Sequence, residues 1–263
     1  MPTLSLIIPS RGRQGLLSRL LEALADLAED RSSYEVVVVA DEDDVPEAPG
    51  ARVLVGPPGR TMGQMTRTGC EAAYGDLVFL LNDDVTPRTR GWDRRVIEAA
   101  RTFADGVALV HVNDTLMRDH LCVFPLIPRG LRYLVHPGYR RYRIDDHVED
   151  VFNILAAAGE RRTVYLEDVV FEHHNGIDMP WGAREYHADP VGLAVDAPLF
   201  DELRPERLRL ALELLARIDA SRRAAQVAAM PGSFALRVPG RQVGAERPRP
   251  LVARLWRRLV GAR

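Results

Sequence analysis

A chain of 263 residues, 46% apolar and 27% charged, is long enough for one large α/β domain with an appendage and has the make-up of a soluble globular protein. Its net charge of −2 gives no sign of a nucleic-acid binder. All 35 basic residues are arginine, which excludes a Schiff-base lysine and a P-loop lysine, and the uniform usage reads as codon bias, so a single arginine carries little weight.

Cys70 and Cys122 are the only cysteines and lack metal-knuckle spacing. They read as buried thiols in a reducing compartment, and the expected location is cytoplasmic. The N-terminus enters an apolar strand directly, with neither a signal-peptide pattern nor an apolar run of about 20 residues.

Leu4–Ile8 is a short apolar run stopped by Pro9, hence a buried strand. Ser10–Gln14 is a polar loop. Leu16, Leu17, Leu20, Leu21, Leu24 and Leu27 recur with helical period. Glu35–Ala40 holds four consecutive valines, the mark of a central parallel strand, and runs into the acidic cluster Asp41–Asp44. Arg52–Val55 is a third strand, followed by breakers at Gly56–Gly59. Met62–Tyr74 reads as a helix ended by Gly75, and Leu77–Leu81 as a buried strand leading into Asn82-Asp83-Asp84.

This β-α-β-β-α-β order predicts an open, mostly parallel sheet with helices on both faces. Ligands bind beyond the carboxyl ends of such strands. Ser10-Arg11, Asp41–Asp44 and Asp83-Asp84 all fall at such ends.

The second part is less regular. Strands are expected at Val107–Val112 and Leu121–Ile127, and a loop rich in arginine and tyrosine at Pro137–Asp146. Val148, Val151, Phe152 and Leu155 mark a short helix closed by Gly159. Arg162–Tyr165 and Val169–Glu172 read as separate short strands before His173-His174. From Pro205 to about Met230, leucines at 208, 212 and 215 mark a long amphipathic helix, which Pro231 ends. The expected organisation is a catalytic domain over 1–180, a helical extension over 181–232 and a basic tail over 233–263.

Two adjacent carboxylates at a strand end repel unless a cation or hydrogen bonds offset them. Hard oxygen ligands in a cleft suit Mg²⁺ or Mn²⁺, and such a metal would neutralise a diphosphate. The same dipeptide also suits a helix cap with a turn.

From Leu4 to Asn175 the chain resembles the family 2-like glycosyltransferases of the GT-A fold. The resemblance is carried by LSLIIPSRGR, YEVVVVADEDD, GRTMGQMTRTGCEAAYGDLVFLLNDDV, and IDDHVEDVF followed by VVFEHHN. It implies a GT-A, Rossmann-like α/β fold, a mostly parallel sheet flanked by helices, with the helical extension following it. It implies that Pro9, Ser10 and Arg11 form a nucleotide-contacting loop, that Asp41 recognises the base, and that Arg60 precedes a helix beside the nucleotide. Asp83-Asp84 takes the DxD position, with Asn82 standing where many members have the first Asp. Asp84 is then the metal ligand, Asp83 approaches the ribose, and His173 completes the metal site, with His174 as the fallback.

The family's catalytic base opens a helix in an xED-like motif. Asp145, Asp146, Glu149 and Asp150 are the candidates here, Asp146 first and Asp145 next, while either of that pair also suits a helix cap. His147 is a further candidate for acceptor contact.

The implied activity is divalent-metal-dependent transfer of a sugar, with inversion, from a nucleotide-diphosphate donor to an acceptor hydroxyl. That acceptor is a glycan, a lipid-linked molecule or another compound. A nucleotidyltransferase and a non-catalytic nucleotide-sugar-binding module of the same fold stand as alternatives. Leu251, Val252, Leu255, Trp256, Leu259 and Val260 would form an apolar stripe on a tail helix, flanked by Arg254, Arg257 and Arg258. It suits packing on the catalytic domain or on a second subunit, as in a homodimer. It also suits peripheral contact with an anionic membrane at its inner face.

Overall fold

The computed structural model describes residues 2–174 and 190–229. The strands are β1 (Leu4–Pro9), β2 (Tyr34–Asp41), β3 (Arg52–Gly56), β4 (Leu77–Leu80), β5 (Val85–Pro87), β6 (Leu109–Asn113), β7 (Leu126–Pro128) and β8 (Thr163–His173). The helices are α1 (Gln14–Leu27), α2 (Met62–Ala72), α3 (Trp92–Ala100), α4 (Ile144–Ala157), α5 (Pro190–Glu202) and α6 (Arg204–Ala228). The sheet runs β3-β2-β1-β4-β7-β6-β8-β5. Its first four strands are parallel, β6 and β8 are parallel, and β7 and β5 pair antiparallel with their neighbours. The mostly parallel α/β sheet with C-terminal helices is therefore as the sequence predicts.

The valine run shows why the sheet must be covered twice. Successive side chains of a strand point to opposite faces. Val36 and Val38 join Leu4, Leu6 and Ile8 under α1 and α3, whereas Val37 and Val39 join Ile7 under α2. The second face continues under α4 and α6, where Leu210, Ala211, Leu214, Leu215 and Ile218 pack with Val148, Val151, Phe152 and Leu155. The buried seam of α6 thus differs from the expected leucines, since Leu212 is only partly buried.

Other differences have local causes. The strand expected at Leu121–Ile127 shrinks to β7, because Pro125 has no N–H to give to a ladder and β7 begins only after it. The two strands expected at 162–165 and 169–172 are one, β8. Its polar middle, Glu167 and Asp168, is exposed where the register with β6 shifts and the strand crosses to β5. The helix expected from Val148 begins earlier, so Asp145 and Asp146 belong to its first turn rather than to a loop. β5, α3 and α5 have no counterpart in the sequence reading. Among the described residues, no helix is long and apolar enough to cross a membrane. The tail with its apolar stripe lies outside the described residues.

Helix α2 fixes the chain that later lines the site. Thr61 and Gln64 form a reciprocal capping box. The N–H groups of Met62 and Gly63 donate to the carbonyls of Arg140 (2.9 Å) and Tyr139 (3.0 Å), and the Thr61 hydroxyl donates to the Pro137 carbonyl (3.0 Å). A Cβ on Gly63 would lie 2.8–2.9 Å from the carbonyl oxygens of Tyr139, His136 and Pro137. Backbone cannot yield as a side chain can, so Gly63→Ala should destabilise the fold by about 1–3 kcal/mol, the usual range for overpacking. Urea unfolding measures this; an unchanged midpoint would show that the 136–140 segment is not held against α2.

Candidate functional site

The carboxyl ends of β1, β2 and β4 lie side by side and bring together the three polar clusters picked out in the sequence. Asp41 closes β2 and its side chain is 3% exposed. Arg11 donates to its Oδ2 through Nε (2.9 Å) and Nη2 (2.5 Å), and Arg60 Nε donates to its Oδ1 (3.2 Å). Burial raises the Asp41 pKa, but these guanidinium bonds outweigh it and the net shift is downward. Both oxygens of Asp41 are engaged in holding two arginines.

Asp83 and Asp84 follow β4 and are buried. The Asp83 Oδ2 accepts from the Ser10 hydroxyl (2.9 Å) and its Oδ1 pairs with Arg13 Nη1 (2.8 Å). The same Arg13 nitrogen reaches Asp84 Oδ2 at 3.1 Å. Burial, with the Asp84 charge adding and Arg13 opposing, pushes Asp83 up to about 7. Burial acts on Asp84 too, yet His173 and Arg13 bring its pKa below the usual value. Asp84 is thus the carboxylate that keeps its charge.

Asp84 Oδ1 lies 3.4 Å from His173 Nε2. Neither atom has a hydrogen-bond partner although both are buried. Such a pair is satisfied either by an N–H···O contact within the pair, the contact that lowers the Asp84 pKa, or by a cation that binds both atoms. The donor set, one carboxylate oxygen and one imidazole nitrogen, fits a divalent cation. Among the described residues no group of three or more His, Cys, Asp or Glu is arranged as a cation cage. The remaining ligands would therefore be water or substrate oxygens, as is usual for Mg²⁺ beside a diphosphate. The neighbouring His174 turns away: its Nε2 lies 2.7 Å from the Thr86 hydroxyl.

Two cavities adjoin the residues around this pair: Ser10 and Arg13, which contact Asp83 and Asp84, line one, and His173 lines the other. One, of about 350 Å³, is lined by Pro9, Ser10, Arg11, Arg13, Arg60, Arg140 and Arg141 among others. The other, of about 360 Å³, is lined by Asn82, Asp114, Arg141, Arg143, Asp145, Asp146 and His173 together with apolar side chains. Met62 and Arg141 belong to both, so the cavities adjoin. The first α2 donors are already bonded to the 137–140 segment or to the capping box. An anion in the first cavity would meet guanidinium groups rather than a helix terminus.

Asp145 and Asp146 open α4. Neither caps it: the N-cap is Arg143, in the left-handed region at φ 66° and without a side-chain cap bond. Asp145 Oδ1 accepts from the Asp146 N–H (3.0 Å), and Asp146 Oδ1 accepts from Arg143 Nη1 (3.1 Å). Burial and the Asp146 charge push Asp145 up to about 7. Of the other carboxylates considered, Asp150 is bonded to Arg207 (2.6 Å), and burial raises the pKa of Glu149. His147 is not an acceptor contact. It is fully buried, its Nδ1 lies 2.8 Å from the Tyr139 hydroxyl, and burial pushes its pKa down to about 3.

Sequence reasoning missed Arg13, Arg141 and Asp196. The arginines were indistinguishable from a background of arginine. Asp196 of α5 is fully buried and accepts from the N–H groups of Arg140, Arg141 and Tyr142. It lies in a part of the chain without recognisable motif.

Solved structures of similar fold include the mannosyltransferase PcManGT from Pyrobaculum calidifontis in complex with GDP-Man and Mn²⁺. It is 17% identical with a TM-score of 0.52, over 86% of this chain and 79% of that chain. Glucosyl-3-phosphoglycerate synthase from Mycobacterium tuberculosis, in complex with Mn²⁺, UDP-glucose and phosphoglyceric acid, is 15% identical with a TM-score of 0.49, over 83% and 80%. TarS of S. aureus is 13% identical with a TM-score of 0.45, over 65% of this chain and 36% of that one. At such identities the likeness is one of fold, and only the first score exceeds 0.5. No curated protein matches the chain. The model of glycosyl transferase family 2 matches residues 5–165, well over half of the chain and the part that carries β1 to β4, Asp83-Asp84 and the start of α4. The chain belongs to glycosyl transferase family 2.

Proposed function

We propose that the protein is a divalent-metal-dependent, inverting glycosyltransferase that moves a hexosyl group from a nucleotide diphosphate to an acceptor hydroxyl. The observation that carries this reading is the buried pair Asp84 Oδ1 and His173 Nε2: His173 lines the cavity that holds Asp114, Asp145 and Asp146, and Arg13, which contacts Asp84, lines the arginine-rich one. The complex of the P. calidifontis mannosyltransferase with GDP-Man and Mn²⁺ is consistent with it.

The arginine-lined cavity takes the nucleotide diphosphate. Asp41 holds Arg11 and Arg60 in place there, and Arg13, Arg140 and Arg141 complete its cationic wall. Asp84 and His173 would hold the cation, which supplies positive charge against the departing diphosphate. Asp83, tied to Ser10 and Arg13, lies on the donor side of that pair. The acceptor hydroxyl enters the second cavity. Its oxygen forms a bond to C1 of the sugar as the bond from C1 to the diphosphate oxygen breaks, and its proton passes to a carboxylate of α4.

Between the two carboxylates, environment favours Asp145. A general base works best with a pKa near the working pH. Asp145 is raised to about 7 by burial and by Asp146, whereas Asp146 is paired with the Arg143 cation.

A panel of nucleotide sugars, assayed with and without Mn²⁺, separates the reading from its rivals. Nucleoside diphosphate released only with metal is the expected result. Pyrophosphate from a nucleoside triphosphate would indicate a nucleotidyltransferase, and binding without turnover a non-catalytic module.

Asp84→Ala and His173→Ala should each abolish the Mn²⁺-dependent part of nucleoside-diphosphate binding, as measured by calorimetry. Retained metal dependence in both would remove the pair from the cation site.

The base should lose activity as it is protonated. With Asp145 raised to about 7, kcat/KM should fall as the pH drops below about 7. Asp145→Asn should remove that limb and lower kcat by about 10²–10⁴-fold with donor binding intact. Asp146→Asn should move the limb to lower pH, since the Asp146 charge is part of what raises Asp145. A profile whose acid limb is untouched by Asp145→Asn would assign the base elsewhere.

A further inference from the structure

The backbone from Pro137 to Tyr142 is held from two sides. Its carbonyls at Pro137, Tyr139 and Arg140 accept from Thr61, Gly63 and Met62 at the start of α2. Its N–H groups at Arg140, Arg141 and Tyr142 converge on the Asp196 carboxylate at 2.7, 2.8 and 2.7 Å, the first on Oδ1 and the other two on Oδ2. Asp196 is fully buried, and a carboxylate persists in such a place only when its oxygens are fully bonded. The next residue, Arg143, takes the left-handed conformation at φ 66° without being glycine, and α4, with Asp145 and Asp146 in its first turn, starts immediately after it. Arg140 and Arg141 line the cationic cavity, and Arg141, Tyr142 and Arg143 line the other.

We propose that Asp196 is a positioning residue for both halves of the site: from the C-terminal extension, beyond the part matched by the family, it clamps the arginine strap that divides the two cavities. Without it, three adjacent amides lose their common acceptor. The strap could then move Arg140 and Arg141 off the diphosphate and release Arg143 from the entrance to α4. The extension is on this view part of the active site. The effect on ligands rests on the nucleotide-sugar reading above; the clamp itself does not.

Trypsin reads the clamp directly, because Arg140, Arg141 and Arg143 are cleavage points. In the full-length protein, Asp196→Ala should be cut within 140–143 at least about tenfold faster than wild type, the equivalent of losing a charge-assisted hydrogen-bond set. Asp196→Asn, which keeps the shape but can no longer accept from all three amides, should fall between the two. With Mn²⁺ present, affinity for UDP or GDP, whichever the wild type binds, should weaken in the same order. Leu20→Ala is the control, a cavity in the core on the opposite face of the sheet. It should lower the melting temperature without speeding strap cleavage or weakening nucleotide binding. Wild-type cleavage and affinity in both Asp196 variants would overturn the proposal, and so would Leu20→Ala matching them in both readouts. Faster cleavage in the Asp196 variants, with neither nucleotide bound by wild type, would support the clamp and overturn the nucleotide-site reading.

Discussion

Buried carboxylates at the ends of parallel strands are the constraint around which this molecule is arranged. A charge taken out of water must be matched by hydrogen bonds or by an opposite charge, or it is lost to protonation. Asp41 is matched by Arg11 and Arg60, Asp83 by Ser10 and Arg13, and Asp84 by Arg13 on one oxygen. The second oxygen of Asp84 lies 3.4 Å from His173 Nε2, and a carboxylate oxygen beside an imidazole nitrogen is a donor set that fits a divalent cation.

The same constraint explains the arginines. Because α2 gives its first amides to the 137–140 segment, the cavity beside it presents guanidinium groups rather than a helix terminus. Arg11 and Arg60 are held by Asp41, and Arg13 by Asp83 and Asp84. Arg141, common to both cavities, is carried on a strap pinned by α2 through its carbonyls and by Asp196 through its amides. One strap therefore lines the arginine-rich cavity and leads into α4.

The first four strands and first two helices were legible because each is a continuous apolar run or a clean helical period bounded by Pro, Gly or Asp. The valines at 36–39 could belong only to a strand covered on both faces. The later strands were not legible for physical reasons. β8 carries exposed acidic residues at its middle, and β5 is a three-residue piece whose pairing comes from β8, far along the chain. At the candidate site, Asp83-Asp84 and His173 stand out in the sequence by their places after apolar strands and by the family's order of motifs, and the fold brings Asp84 beside His173. The assignment of Asp41 as a base contact meets a different arrangement, since both its oxygens are taken by arginines. His147, a further candidate for acceptor contact in the sequence, is instead buried against the Tyr139 hydroxyl, a contact set by tertiary packing. Asp196 could not be found, because its role depends on a contact with amides more than fifty residues away, which no local pattern records.

The central claim is that Asp84 and His173 together bind the cation that serves the donor diphosphate. Its most direct test is the manganese anomalous signal from a crystal of the full-length protein grown with Mn²⁺ and UDP or GDP. The account predicts a single strong peak within about 2.3 Å of both Asp84 Oδ1 and His173 Nε2, with diphosphate oxygens completing its shell. A manganese peak bound to the nucleotide but out of reach of either side chain would contradict it.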